Sequence, residues 1–159
     1  MKSVLTALLV ILADQATKLA IVANFDRGEE IEVLGSLLRL GHARNSGAVF
    51  GILKGSGDYF AVFSLIAAAV IAVVIYLARK SPAAVKVALG LVLGGALGNL
   101  VDRIRLGAVV DFIDIGINAV RWPSFNIADL AITVGVITLI IKCLRPGRKC
   151  GCESEGAAL

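Results

Sequence analysis

The chain is poor in the side chains from which soluble enzymes most often build metal and thiol centres. It has one histidine, His42, and three cysteines, Cys143, Cys150 and Cys152, all near the C-terminus. A single histidine cannot make a zinc site alone, and no His-Glu-x-x-His pattern occurs. Three is an odd number of cysteines, which excludes a closed disulfide framework. Cys150-Gly151-Cys152 has no other ligand group close by and reads as a pair of reduced tail thiols. Charge is scarce as well, at 18% of residues, against about 25% in soluble domains.

Apolar residues fill the gap. Of 159 residues, 58% are hydrophobic, and the mean hydropathy is +0.88. A soluble domain of this size could not cover so much apolar surface, and a disordered chain would not carry it. The sequence is that of an integral membrane protein. Its net charge of +4 does not point to nucleic acid, because the basic residues flank the apolar runs, where they meet headgroups or set topology.

Four stretches satisfy the requirement of about 20 mostly apolar residues per span, at about 3–23, 59–78, 85–103 and 127–144. Lys2 followed by the apolar run from Val4 to Ala13 resembles a secretory leader. The run resumes at Leu19 to Ala23, however, which a cleaved leader does not need. Lys2, Arg79, Lys80, Lys86, Lys142, Arg145, Arg148 and Lys149 all lie beside span ends on one side. Arg27, Arg39, Arg44, Lys54, Arg105 and Arg121 are diluted over longer loops on the other. The positive-inside rule therefore places both termini in the cytoplasm and the loops at about 24–58 and 104–126 outside. Residues 1–145 read as one integral membrane domain and 146–159 as a disordered cytoplasmic tail. In the first outer loop, Glu30-Ile31-Glu32-Val33 alternates like a strand. Gly35-Ser36 marks a turn, and Leu37 to Leu40 is apolar again, as in a small sheet on the membrane surface. The segment from Gly47 to Leu53 is apolar but too short to span.

Ionisable residues in spans are costly and by default mark a site or an internal pair. Asp14 and Lys18 share a helix face and can neutralise each other, with Lys18 snorkelling outward and Asp14 left in need of other partners. Gly90, Gly94 and Gly98 form a ladder that lets a second helix approach closely. Asn99, Asp102 and Arg103 follow on one face at the outer end. Asp111 and Asp129 flank the second outer loop at equal depth. Two carboxylates held close share a proton, the arrangement of an aspartic protease. Equally, Asp129 suits a helix N-terminus with Asp111 a loop residue, and on spacing the two readings stand level. A Ser46–Lys18 dyad is topologically possible, and His42 reads as a solvated loop residue.

Taken in order, Asp14-Gln15-Ala16-Thr17-Lys18, Arg44-Asn45-Ser46-Gly47-Ala48, Gly94-Gly95-Ala96-Leu97-Gly98-Asn99-Leu100-Val101-Asp102-Arg103, Gly107-Ala108-Val109-Val110-Asp111 and Phe125-Asn126-Ile127-Ala128-Asp129 closely resemble the motifs of lipoprotein signal peptidases, or signal peptidase II. The resemblance runs from about residue 10 to 141. It implies an intramembrane aspartic endopeptidase of the bacterial inner membrane that cleaves diacylglyceryl-modified prolipoproteins before the lipidated cysteine. It also implies Asp111 and Asp129 as the catalytic pair. Asp14, Asn45, Gly47, Asn99, Arg103 and Asn126 then line or support the site, while Lys18, Asp102, Gly94 and Gly98 are structural. The implied fold is a four-transmembrane-helix bundle with an outward β-cradle over about 25–50 and a short extracytoplasmic helix over about 112–120. No metal or organic cofactor is implied, and the expected state is a monomer in contact with membrane lipid. The alternative is a small non-enzymatic transporter or accessory subunit with Asp14, Lys18, Asp102 and Asp129 as an acidic relay.

Overall fold

The computed structural model describes residues 1–46 and 57–144. Four long helices carry the apolar runs: α1 (Lys2–Asn24), α2 (Gly57–Leu77), α3 (Ala83–Leu106) and α4 (Ile127–Leu144). Each contains a stretch long and apolar enough to cross a membrane. A 3₁₀ turn, Ala78–Lys80, follows α2. At a rise of about 1.5 Å per residue, these helices match a hydrocarbon core about 30 Å thick. Their outward faces show Leu5, Leu8, Leu12, Phe63, Val70 and Ile137, as expected where lipid is the solvent.

The helix α3 sits at the centre and packs against the other three. The glycine ladder explains the closeness. A Cβ at Gly90 would meet the Ser3 carbonyl at 2.5 Å, and one at Gly94 would meet that of Ala7 at 2.8 Å. At Gly98 it would meet Asp14 Oδ2 at 2.7 Å. On another face, a Cβ at Gly95 would run into the Ala128 carbonyl of α4. Small residues thus bring α1 and α4 onto α3 backbone to backbone. The helix α3 keeps Asp102 and Arg103 within it, as the expected span of 85–103 does, and runs on to Leu106. It ends where Gly107 takes a left-handed conformation (φ 67°) and its N–H bonds the Arg103 carbonyl, a common helix stop.

The polar end of the bundle carries a four-stranded antiparallel sheet in the order β1 (Glu30–Leu34), β2 (Leu38–Asn45), β3 (Val109–Ile117), β4 (Val120–Arg121). The loop between α1 and α2 therefore supplies only half of it. The short helix expected over 112–120 is absent, since those residues lie in β3, a turn and β4. Val109, Val110, Ile113, Ile115 and Ile117 are β-branched and favour extended backbone, and β2 offers β3 an edge to pair with. The turn between β3 and β4 uses Asn118 at φ 50°. A bulge in β2 between Leu40 and Ala43 restores register, so that Ala43 pairs with Asp111 and Asn45 with Val109. His42 falls in that bulge. It is buried, not solvated, at 4% exposure, with Nδ1 3.1 Å from the Phe25 carbonyl. Ile21, Val110 and Phe112, with Phe25, Leu40 and Ile127 against them, join the sheet to α1 and α4.

Candidate active site

Three elements converge where the sheet meets the bundle. β3 brings Asp111, the start of α4 brings Asn126 and Asp129, and the C-terminal end of α3 brings Asn99, Asp102 and Arg103. An isolated bridge between Ile113 and Phe125 fastens the approach to α4 onto β3 and so sets Asn126 beside Asp111.

Asn126 is fully buried and holds both carboxylates. Its side-chain amide donates to Asp111 Oδ1 at 2.7 Å, and its backbone N–H donates to Asp129 Oδ2 at 3.2 Å. Its Oδ1 accepts from the Asp129 N–H at 3.0 Å. That reciprocal pair is a capping box, in which a residue before the helix and one three positions on satisfy each other's backbone donors. Asp129 therefore stands at a helix N-terminus, one of the two readings the sequence allowed. One oxygen caps α4, while the other, Oδ1, accepts from Asn99 Nδ2 at 2.8 Å.

Asp111 is almost wholly buried, at 2% exposure. From β2, Asn45 donates to its Oδ2 at 3.0 Å, a diagonal contact across the strand pair. Burial pushes the Asp111 carboxyl up to about 6, aided by the Asp129 charge and opposed by the hydrogen bonds from Asn45 and Asn126 and by the Lys18 charge. Desolvation wins because an ionised carboxylate loses most of its hydration there.

Behind the aspartates lies an ionic cluster. Lys18 is buried and does not snorkel: its ammonium meets Asp14 Oδ2 at 2.8 Å and Asp102 Oδ2 at 2.9 Å, and donates to Asn99 Oδ1 at 3.0 Å. Reaching the headgroups would have left two carboxylates unpaired in the bundle, and all three donors of the ammonium are now occupied. The Ser46–Lys18 dyad loses its base accordingly. Asp14 finds the partner it needed in the Ala128 N–H, at 3.0 Å. Arg103 donates to Ser64 Oγ at 3.2 Å. Gly47 lies outside the described residues. Among the described residues, no group of three His, Cys, Asp or Glu side chains is arranged to hold a metal ion.

Two participants escaped the sequence reading. Gln15 donates to Asp14 Oδ2 at 3.2 Å, Asp102 Oδ1 at 3.0 Å and the Gly98 carbonyl at 3.2 Å, closing the cluster. As an amide in an apolar helix beside Asp14, it offered a signal. Ser64 offered none, since one hydroxyl in a lipid-facing span is ordinary.

A family model described as "Signal peptidase (SPase) II" matches residues 6–145. A lipoprotein signal peptidase from Moorella thermoacetica is 44% identical, over 96% of this chain and 99% of its own length. One from Syntrophus aciditrophicus is 43% identical over 86% and 88%. A solved structure titled as a bacterial membrane enzyme, obtained by the in meso method at 1.9 Å, superposes with a TM-score of 0.77. It is 37% identical and covers 91% of this chain and 94% of that one. The transporter or relay alternative finds no support, since the acidic groups gather at one end and the family model and the relatives named above are peptidases. With agreement across nearly the whole chain, the protein belongs to the signal peptidase II family.

Proposed function

We propose that the chain is an aspartic endopeptidase that removes signal peptides from diacylglyceryl-modified prolipoproteins, cutting on the N-terminal side of the lipidated cysteine, with Asp111 and Asp129 as the catalytic residues. The observation that carries this reading is Asn126, which holds both carboxylates in one hydrogen-bonded unit. Asp129, ionised and supplied with donors by Asn99 and Asn126, takes a proton from water, and the resulting hydroxide attacks the scissile carbonyl. Asp111 keeps its proton, donates it toward the carbonyl oxygen and steadies the tetrahedral intermediate. Collapse breaks the C–N bond, and the proton held by Asp129 passes to the departing amine. Asn45, exposed at the rim, is placed to meet the substrate backbone while it orients Asp111. Arg103 and Asn99 support the same wall.

Residues 1–145 act as one membrane domain of the bacterial inner membrane, with both termini in the cytoplasm and the aspartates toward the outer leaflet. Supporting this orientation, Lys2, Arg79 and Lys86 line one cavity at the end of the bundle away from the sheet. At the sheet's far edge, exposed Leu37, Ile115, Ile117, Val120 and Trp122 line an open groove, a composition suited to the membrane interface. The protein works as a monomer that needs no metal or organic cofactor.

The test is cleavage of one precursor with and without its diacylglyceryl group, in the same detergent. Acyl chains contribute about 0.8 kcal/mol per buried CH₂, so lipidation can carry recognition without side-chain readout at the cut. The lipidated form is expected to be cleaved at least about tenfold faster in kcat/KM, a difference of about 1.4 kcal/mol. Equal values for both forms would contradict the assignment of substrate.

A further inference from the structure

The sequence alone makes Lys18 half of a depth-setting pair with Asp14. Such a pair would need no second carboxylate and no contact with the strand or helix that bears the aspartates. Lys18 has both. It is 3% exposed and meets two carboxylates at 2.8 and 2.9 Å. Asp14 Oδ1 accepts the Ala128 N–H at 3.0 Å, and Ala128 immediately precedes Asp129. Asp102 Oδ2 accepts the Val110 N–H at 3.1 Å, and Val110 immediately precedes Asp111. The third donor of the ammonium goes to Asn99 Oδ1 at 3.0 Å, which turns the Asn99 amide so that its Nδ2 faces Asp129 at 2.8 Å.

We propose that Lys18 is a positioning residue: its ammonium ties α1, the start of α4 and the start of β3 into one frame, and so sets the separation and alignment of Asp111 and Asp129. The proposal rests on the assignment of those two residues as the catalytic pair. Stability alone does not account for the arrangement. Two carboxylates around one ammonium leave an excess negative charge in a desolvated place, and well-packed apolar residues commonly serve stability as well as a buried ion pair. What the ions supply is directional contact to two backbone N–H groups, each one residue from the chemistry.

A charge-balanced variant tests this. Asp14→Asn with Lys18→Gln keeps the cluster's net charge and leaves an amide oxygen for the Ala128 N–H, but removes the ammonium link. The purified full-length variant is assayed on lipidated precursor beside wild type, Asp111→Asn and Asp129→Asn. With a cooperative thermal melt retained, kcat is expected to fall at least about tenfold, as small misalignments of reacting groups do, while KM stays within about twofold. The alkaline limb of the pH profile should also move to higher pH. Asp111 is acted on by Asp129 and Asn126 from the start of α4, Asn45 from β2 and Lys18 from α1, with Arg103 of α3 in the same field, and of these the variant removes the Lys18 charge alone. A wild-type kcat and limb would overturn the proposal. So would a loss confined to KM, or failure of the variant to fold, which would make Lys18 a builder of the bundle. Activity retained by Asp111→Asn or Asp129→Asn would instead overturn the catalytic pair.

Discussion

At the scale of single residues, the two aspartates differ in what surrounds them. Asp129 stands on a helix start, with N–H donors from Asn126 and Asn99. Asp111 is sunk beneath β2, and its carboxyl is pushed up to about 6 by burial first and the Asp129 charge second. Its folded-state value thus lies above the ordinary 3.8. Stability from its protonation is present below that ordinary value and is lost as pH rises through the folded one. In the proposed mechanism the same proton serves catalysis, so kcat/KM should decline on the alkaline side as Asp111 ionises. Asn45 donates to Asp111 and favours the ionised form. Asn45→Ala is therefore expected to carry the alkaline limb to higher pH and to lower kcat. A pH–rate profile whose limb stays put or moves down would break the link between Asn45 and Asp111.

Elements place these residues, and here sequence and structure diverge most. The extent of α4 was legible, because Asn126 and Asp129 punctuate the apolar run with a capping signal. The glycine ladder was legible too, since its spacing of four residues survives in the packing of α1 on α3. The path of β3 was not: Val109 to Ile117 declares itself extended only when β2 is there to pair with. His42 and Lys18 misled for a related reason. A buried partner from a distant element, the Phe25 carbonyl or Asp102, cannot be seen from local spacing. Nor can the role of Asn126 at Asp111, which depends on the bridge between Ile113 and Phe125. Packing at this level has its own test in Gly95, whose added Cβ would meet the Ala128 carbonyl and Ile132 Cγ1. Gly95→Val is expected to cost about 1–3 kcal/mol, as overpacking does, and to displace the turn that carries Asp129. Thermal melting in detergent would drop and kcat with it, whereas an unchanged melt would deny the close approach of α3 and α4.

For the molecule as a whole, the division of labour follows from the solvent. Lipid-facing helices leave only their packed faces for polar groups, and these gather at one end, where the sheet closes over them. That end is where water, a scissile bond and two carboxylates can meet, while the substrate's acyl chains remain in the bilayer. We propose above all that Asp111 and Asp129 together perform the hydrolysis. The direct measurement is kcat on lipidated precursor for purified Asp111→Asn and Asp129→Asn, each checked for a wild-type melt. Both folded variants should lose at least about a thousandfold, as expected when a proton-transfer partner is removed. Near-normal turnover by either folded variant would contradict the account.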